Sequence, residues 1–304
     1  MFEWLSRLLC DPPPEPAPLA LATSLDRLAH ALAAPGNSST RRLWPCTCCG
    51  ALLPAREFLS FNHRPRAMCP VCHTLERHRA ACFNIAANNL LAPQLNGARP
   101  TRVLHFGPEP KMVDAILASG ALDHRAVDFF DVRGGVPRTG RYHATTEFAD
   151  MRSLSFPDRH FDAIIALHVL EHIDRVEDAI SELRRVLTLR GRAILEVPCW
   201  REPKINASID CTHDDAAGRT RRCGQVDHVW RFACGRFEQL MRRGGLLCRD
   251  TRAGHWPSRY RRVAARVLPA NIFPQYYCRR HLSERTVVAA AVAERDEGVP
   301  ASRE

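Results

Sequence analysis

The chain from residue 101 onward predicts an α/β fold with a parallel sheet. Strand and helix patterns alternate there, as they do where helical crossovers join strands. FDAIIALHVL (161–170) is a continuous apolar run, which suits a central strand buried on both faces. VEDAISELRRVLT (176–188) sets Val176, Ile180, Leu183 and Leu187 on one helical face.

In order, TRVLHF (101–106) reads as the first strand of this domain. PKMVDAILASG (110–120) is an amphipathic helix stopped by Gly120. HRAVDFF (124–130) is the second strand, and YHATTEFAD (142–150) the third, ending in Asp150. The apolar run is the fourth, and RGRAILEVP (190–198) the fifth. CGRFEQLMRRGG (234–245) is a helix with Gly244 just after it. LLCRDTR (246–252) and ERTVVAAAVA (284–293) are expected as the last two strands, with an insertion at 253–283 between them. Upstream, DPPPEPAP (11–18) is a stiff polyproline-like segment. Residues 19–33 are expected as a short helix and APGNSST (34–40) as a linker, so that residues 1–40 form a mobile leader. A small unit spans 41–82. Helix-like residues 74–92 follow it, and 83–100 lead as a linker helix into the domain of 101–304.

The chain has 304 residues, 45% hydrophobic and 25% charged, an ordinary globular composition. No apolar run approaches the ~18 residues that span a membrane. Glu3 and Arg7 interrupt the apolar N-terminus and prolines follow closely, unlike a signal peptide. A cytoplasmic protein is expected. The net charge of +10 invites a polyanion such as RNA. However, the arginines are spread along the chain, with RTRR (219–222) and SRYRR (258–262) as the densest clusters. An RNA partner is therefore not favoured.

Thirteen cysteines are many for such a chain. CTCCG (46–50) and CPVCH (69–73) give Cys46-x2-Cys49 and Cys69-x2-Cys72, with nineteen residues between the pairs. That spacing falls within the range of a four-cysteine zinc site. Two intervening residues let both thiolates of a knuckle face one ion, and tetrahedral Zn²⁺ then staples a unit too small for a large core. Four thiolates leave no open position, so the zinc is expected to be structural. Cys10, Cys82, Cys199, Cys234, Cys248 and Cys278 are isolated in sequence and are expected as small buried hydrophobes. LERHR (75–79) follows the second knuckle, where Arg77, His78 and Arg79 are expected to dock the zinc unit on the main domain.

Ligands of open α/β sheets collect outside the carboxyl ends of the strands. The first such loop is His105-Phe106-Gly107-Pro108-Glu109. Asp128 ends the second strand about twenty residues past Gly107, the spacing of a ribose-binding carboxylate. Asp150, with Met151 beside it, ends the third, where adenine is expected to lie.

VLHFGPEP, AVDFFDV and FADMRSLSFPDRHFDAIIALHVLEHIDRVEDAISELRRVLTLRGRAILEVP together resemble a class I S-adenosylmethionine (SAM)-dependent methyltransferase of the type-11 group. CPVCHTLERHR and CGQVDHVWRF (223–232) resemble a bacterial subgroup with an N-terminal zinc ribbon. The resemblance implies a Rossmann-like fold: a seven-stranded, mostly parallel sheet with helices on both faces, plus the small ribbon. It implies that Gly107 and its neighbours face the methionine part of SAM and that Asp128 holds both ribose hydroxyls. Phe129 would pack on adenine, Asp150 would accept from its amino group, and His168 would line the cofactor. The family's acid before the first glycine is His105 here, and its second glycine is Glu109. Glu109 is expected to do the missing acid's work, in a loop that Pro108 and Pro110 preform. For a general base the candidates are His172 (or Glu171) and the Asp227–His228 pair, since histidine titrates near neutrality. Glu171 and His172 have an alternative role in holding the loop before the next helix. The acceptor is expected to be a small molecule or glycan-type substrate. RNA methylation and a binding module without activity are the alternatives.

Overall fold

The computed structural model describes residues 20–33, 42–91, 99–120, 122–129, 145–200, 207–254, 256–268 and 273–281. The expected strand of 284–293, Cys10, and the stretches 1–19 and 34–41 of the expected leader lie outside them.

Leu21–Ala33 is helix α1. Its leucines recur at 21, 25, 28 and 32, the spacing of a single helical stripe, and all four are buried. The part of the leader that is described is thus a packed element of the core, not a mobile arm. Hairpins β1 (Leu43–Pro45)–β2 (Leu52–Pro54) and β3 (Leu59–Phe61)–β4 (Arg64–Met68) form the cysteine unit. Asn62 and His63 both take positive φ at the tip of the second hairpin, as a tight turn between twisted strands requires. Helix α2 follows at Glu76–Ala87.

The main sheet begins with β5 (Thr101–Phe106), crosses by α3 (Pro110–Leu117) to β6 (Leu122–Asp128), and reaches the short β7 (Glu147–Phe148). Strand β8 (Phe161–Leu167) is buried throughout, as its apolar run predicts. Helix α4 (Val176–Val186) leads into β9 (Leu187–Glu196). A small sheet of β10 (Cys199–Trp200), β11 (Ile209–Asp210) and β12 (Trp230–Ala233) holds α5 (Ala216–Cys223) and passes into α6 (Cys234–Arg243). Then come β13 (Leu246–Asp250), α7 (Arg261–Val267) and β14 (Gln275–Arg280).

Seven strands order as β13-β14-β9-β8-β5-β6-β7. All are parallel except β14, which runs antiparallel to both neighbours. This is the Rossmann-like class I methyltransferase fold. It carries one correction: β14 comes from the segment 253–283 that the sequence suggested was an insertion.

Alternation along the central strands divides the core in two. Val103, Ala163 and Ile165 face α1, α2, α3 and α7, in one continuous cluster with the knuckle cysteines. Leu104, Phe106, Ile164 and Ala166 face α4 and α6. The cysteine unit therefore shares its core with the sheet. Six cysteines form three disulfides: Cys199–Cys234, Cys211–Cys223 and Cys248–Cys278. Cys199, Cys234, Cys248 and Cys278 were expected to be isolated, but chain reversals bring them together. Cys248 and Cys278, for instance, stand directly opposite on β13 and β14.

Replacing Leu25, which is fully buried on α1, by Ala should cost about 2–5 kcal/mol in urea unfolding. A cost near zero would mean that α1 is not packed on the domain in solution.

Candidate functional site

Strand order reverses at β5, with β8 on one side and β6 on the other. The crevice outside their carboxyl ends is where an α/β sheet binds ligands. Phe106-Gly107, Asp128, Asp150 and His168 all follow strands there.

Gly107 has φ +58, and its N–H donates to the Val127 carbonyl at 3.1 Å. A side chain at this φ would be strained. Pro108 and Glu109 carry the chain into α3, with Pro110 in its first turn. The Glu109 carboxylate accepts from the Met112 N–H at 2.8 Å and caps the helix. Burial raises its pKa, and the helix N–H groups work against that shift. Glu109 is thus engaged within its own loop, which differs from the expected role beside the methionine moiety. His105 is buried in β5, its Nδ1 3.4 Å from His124 Nε2.

Asp128 ends β6, and its Oδ1 accepts from the Phe129 N–H at 2.7 Å. The Phe129 ring is 59% exposed, as a face that stacks on a ligand would be. It lies 5.5 Å from the Phe148 ring, with the Arg152 guanidinium 5.8 Å from its centroid. Asp150 pairs with Arg152 through both carboxylate oxygens, and Arg152 holds its pKa below the usual carboxylate range. Arg152 thus joins Asp150 to Phe129, a contact that the sequence did not signal. Met151 is buried behind it.

His168 closes β8 with φ +56. Its ring bridges two buried carboxylates: Nε2 is 3.1 Å from Glu196 Oε1, and Nδ1 is 3.4 Å from Glu171 Oε1. Glu196 also accepts from the Gln275 side-chain amide, which donates to the Arg77 carbonyl as well, at 2.7 Å. The Asn84 amide donates to Gln275 Oε1 at 2.7 Å and to Thr251 Oγ1 at 3.2 Å. Of the LERHR residues, Arg77 provides this docking. His78 Nδ1 accepts from the Leu75 N–H at 3.3 Å. Arg79 turns inward, donating to the carbonyls of Ala67 and Thr74 and packing over Phe58. Glu196 and Gln275 were missed in the sequence. The one available signal was an acid closing an apolar strand in AILEVP.

The short helical turn Leu170–His172 follows His168. Glu171 is fully buried, and burial raises its pKa. His172 Nδ1 bonds the Asp227 carbonyl at 3.0 Å, which joins HVLEH to GQVDHVW. His172 and His228 rings meet edge to face at 4.8 Å. Burial, reinforced by His172, pulls His228 down to about 4, so it is neutral at physiological pH and a weak base. Its candidacy as a base was expected from an ordinary histidine pKa, and burial lowers that value. The Asp227 side chain is 63% exposed.

The four predicted thiols converge. Cys46 and Cys72 Sγ lie 3.5 Å apart, Cys49 and Cys69 Sγ 3.9 Å apart, and all four lie within 4.8 Å of one another. Zn–S bonds of ~2.3 Å in a tetrahedron need edges of ~3.8 Å. In both knuckles the residue after the second cysteine takes positive φ: Gly50 at +76 and His73 at +56. The following chain turns back so that N–H groups of Gly50 and His73 donate to Cys46 and Cys69 carbonyls. Cys48 Sγ instead lies 2.6 Å from Cys82 Sγ and is not one of the four that converge.

A cavity of about 280 Å³ lies along α7, lined by Arg252, Trp256, Arg261 and Leu268 among others; no cofactor candidate lines it. Among the described residues no helix is long and apolar enough to cross a membrane.

Residues 136–195 match the model of a methyltransferase domain family, Methyltransf_11. No curated protein matches the chain. Among solved structures, the YcgJ protein from Bacillus subtilis is 17% identical over 66% of this chain and 96% of its own, with a TM-score of 0.40. The S-adenosylmethionine-dependent methyltransferase from Mesorhizobium loti is 17% identical over 65% of this chain and 97% of its own, at 0.40. The [4+2]-cyclase SpnF is 16% identical over 88% and 99%, at 0.45.

Replacing Glu109 by Ala should lower stability by about 1 kcal/mol through loss of the helix cap, as read by chemical denaturation. Unchanged stability would mean that the carboxylate is free for another task.

Proposed function

We propose that the chain is a SAM-dependent methyltransferase with a structural zinc ion, acting on a small-molecule or glycan-type acceptor. The observation that carries this reading is the convergence of Gly107, Asp128 and Asp150-Met151 at the reversal point of a sheet ordered β13-β14-β9-β8-β5-β6-β7. The methyltransferase-domain match over residues 136–195 supports it independently. In this reading the backbone of residues 105–109 faces the methionine part, with His105 and Phe106 holding the loop from beneath. Asp128 takes the ribose hydroxyls. Phe129 stacks on adenine, Asp150 accepts from its amino group while Arg152 keeps it ionised, and Met151 backs the ring. His168 forms the wall after β8.

The methyl group of a sulfonium is already activated, so the protein mainly aligns the acceptor and excludes water; orientation supplies ~7–11 kcal/mol. His172, Asp227 and His228 mark the acceptor side, beyond His168. Zinc is the ion that fits four cysteines at tetrahedral separations. It would hold the knuckles together and supply no open position for chemistry.

The densest arginine clusters give RNA little support, because several of their guanidinium groups are used internally. Arg219 donates to the Cys211 and Thr212 carbonyls, and Arg222 pairs with Asp214. Arg261 and Arg262 donate to the Trp256 and Leu32 carbonyls.

Calorimetric titration with SAM and S-adenosylhomocysteine tests the proposal. Both should bind, and Asp128→Ala should weaken them ~10–100-fold, the cost of a lost hydrogen bond to a charged group. No binding to folded protein would end the methyltransferase reading; unchanged affinity in the variant would refute the ribose assignment. Metal analysis should find about one zinc per chain, the content of a single four-thiolate site, lost in Cys69→Ser. A zinc-free folded protein would refute the structural ion.

A further inference from the structure

We infer that Glu171, His172 and His228 form a second metal site, for a divalent transition ion, separate from the four cysteines. A carboxylate oxygen and one nitrogen from each ring all lie within 4.8 Å of one another. Glu171 Oε1 is 3.9 Å from His172 Nε2.

Three features point to a ligand here. Both oxygens of Glu171, with the residue 0% exposed, lack a hydrogen-bond partner. His228 Nδ1, on a residue 4% exposed, also lacks one. Each buried orphan costs ~1–3 kcal/mol, and Glu171 and His228, which carry these three, both belong to the group whose ligand atoms converge. The third feature is the tautomer of His172. Its Nδ1 meets a backbone carbonyl, which can only accept, so Nδ1 carries a proton and Nε2 is the nitrogen on the Glu171 side. A backbone carbonyl on the far nitrogen is how metal-binding histidines are commonly oriented.

Two imidazoles and one carboxylate favour zinc, cobalt, nickel or iron over magnesium or calcium. Bonds of ~2.0–2.2 Å require the ligand atoms to close up by roughly 1 Å, within reach of side-chain rotation. Three protein ligands leave an open position. His172 is 33% exposed, so that position opens to solvent beside His168. An acceptor hydroxyl or carboxylate oxygen would bind there. This last step rests on the methyltransferase reading; the metal site itself does not.

The test uses the full chain with its cysteine site loaded with zinc, titrated with Co²⁺ in the absence of SAM. We expect about one further equivalent, with a visible ligand-field spectrum free of sulfur-to-metal charge transfer. His172→Ala and His228→Ala should weaken it at least ~100-fold while retaining the first zinc and the circular dichroism of the native fold. Exposed His213, replaced by Ala, should leave it unchanged. If the histidine variants misfold, the near-isosteric Glu171→Gln serves in their place and should show the same loss. Absence of a second equivalent, a sulfur-ligated spectrum, or binding that survives in the folded variants would each overturn the site. SAM binding without the second ion would reject this inference and leave the methyltransferase reading intact.

Discussion

Helix α2 is the wall on which both halves of the molecule depend. It starts immediately after the second cysteine knuckle, where the Arg77 carbonyl meets Gln275 beside the end of β9, and Leu91 just past it meets Thr101 at the start of β5. Its buried residues include both apolar side chains and polar ones, and the polar ones must be paired if the helix is to remain inside. The Asn84 side-chain nitrogen meets that requirement through Gln275 and Thr251. Gln275 in turn engages Glu196 and the Arg77 carbonyl. A chain of donors and acceptors thus fixes the antiparallel strand β14, the end of β9 and the cysteine unit in one arrangement. The zinc proposed for the cysteines would set the position of α2, and α2 the position of Glu196 beneath His168.

The first loop shows how unusual residues can still form an ordinary binding edge. Gly107 supplies the positive φ that the turn needs. Pro110 starts α3 with its fixed φ where a backbone N–H is not required. Glu109 spends its carboxylate on the helix end. The loop is therefore rigid by construction, and any contact with a methionine moiety must come from backbone groups and from the opposite wall. The carboxylates proposed for recognition, Asp128 and Asp150, stand one strand further out in each case.

The sheet was legible because its strands carry patterns that depend only on burial. FDAIIALHVL is apolar at every position from Ala163 to Leu167 since helices cover both faces, and α4 shows its stripe clearly. The cysteine knuckles were legible from spacing alone. Strand β14 was not: QYYCRR is polar at alternate positions and lies past a helix, so it looked like part of an insertion. Helix α1 was recognised as a helix, but its leucine stripe says nothing about which surface receives it. The disulfides join residues 12 to 35 apart, and no local spacing encodes such pairs. The environment of His228 was not legible for a related reason. An isolated histidine titrates near neutrality, but burial beside His172 shifts it, and burial is a property of the fold.

Two buried glutamates face His168, and they differ in how their oxygens are engaged. Glu196 has its oxygens engaged by the His168 ring and the Gln275 amide, so its charge serves the architecture. Glu171 sits one turn away with neither oxygen hydrogen-bonded. A protein that engages both ends of the Gln275 amide and both Glu196 oxygens does not lack the means to pair one more carboxylate. Leaving Glu171 open sacrifices stability in return for a group that can bind something else. The imidazoles of His172 and His228 stand at the same spot, one with its tautomer set by a carbonyl and the other with a bare nitrogen. The arrangement makes sense if the missing partner comes from outside the chain and carries positive charge.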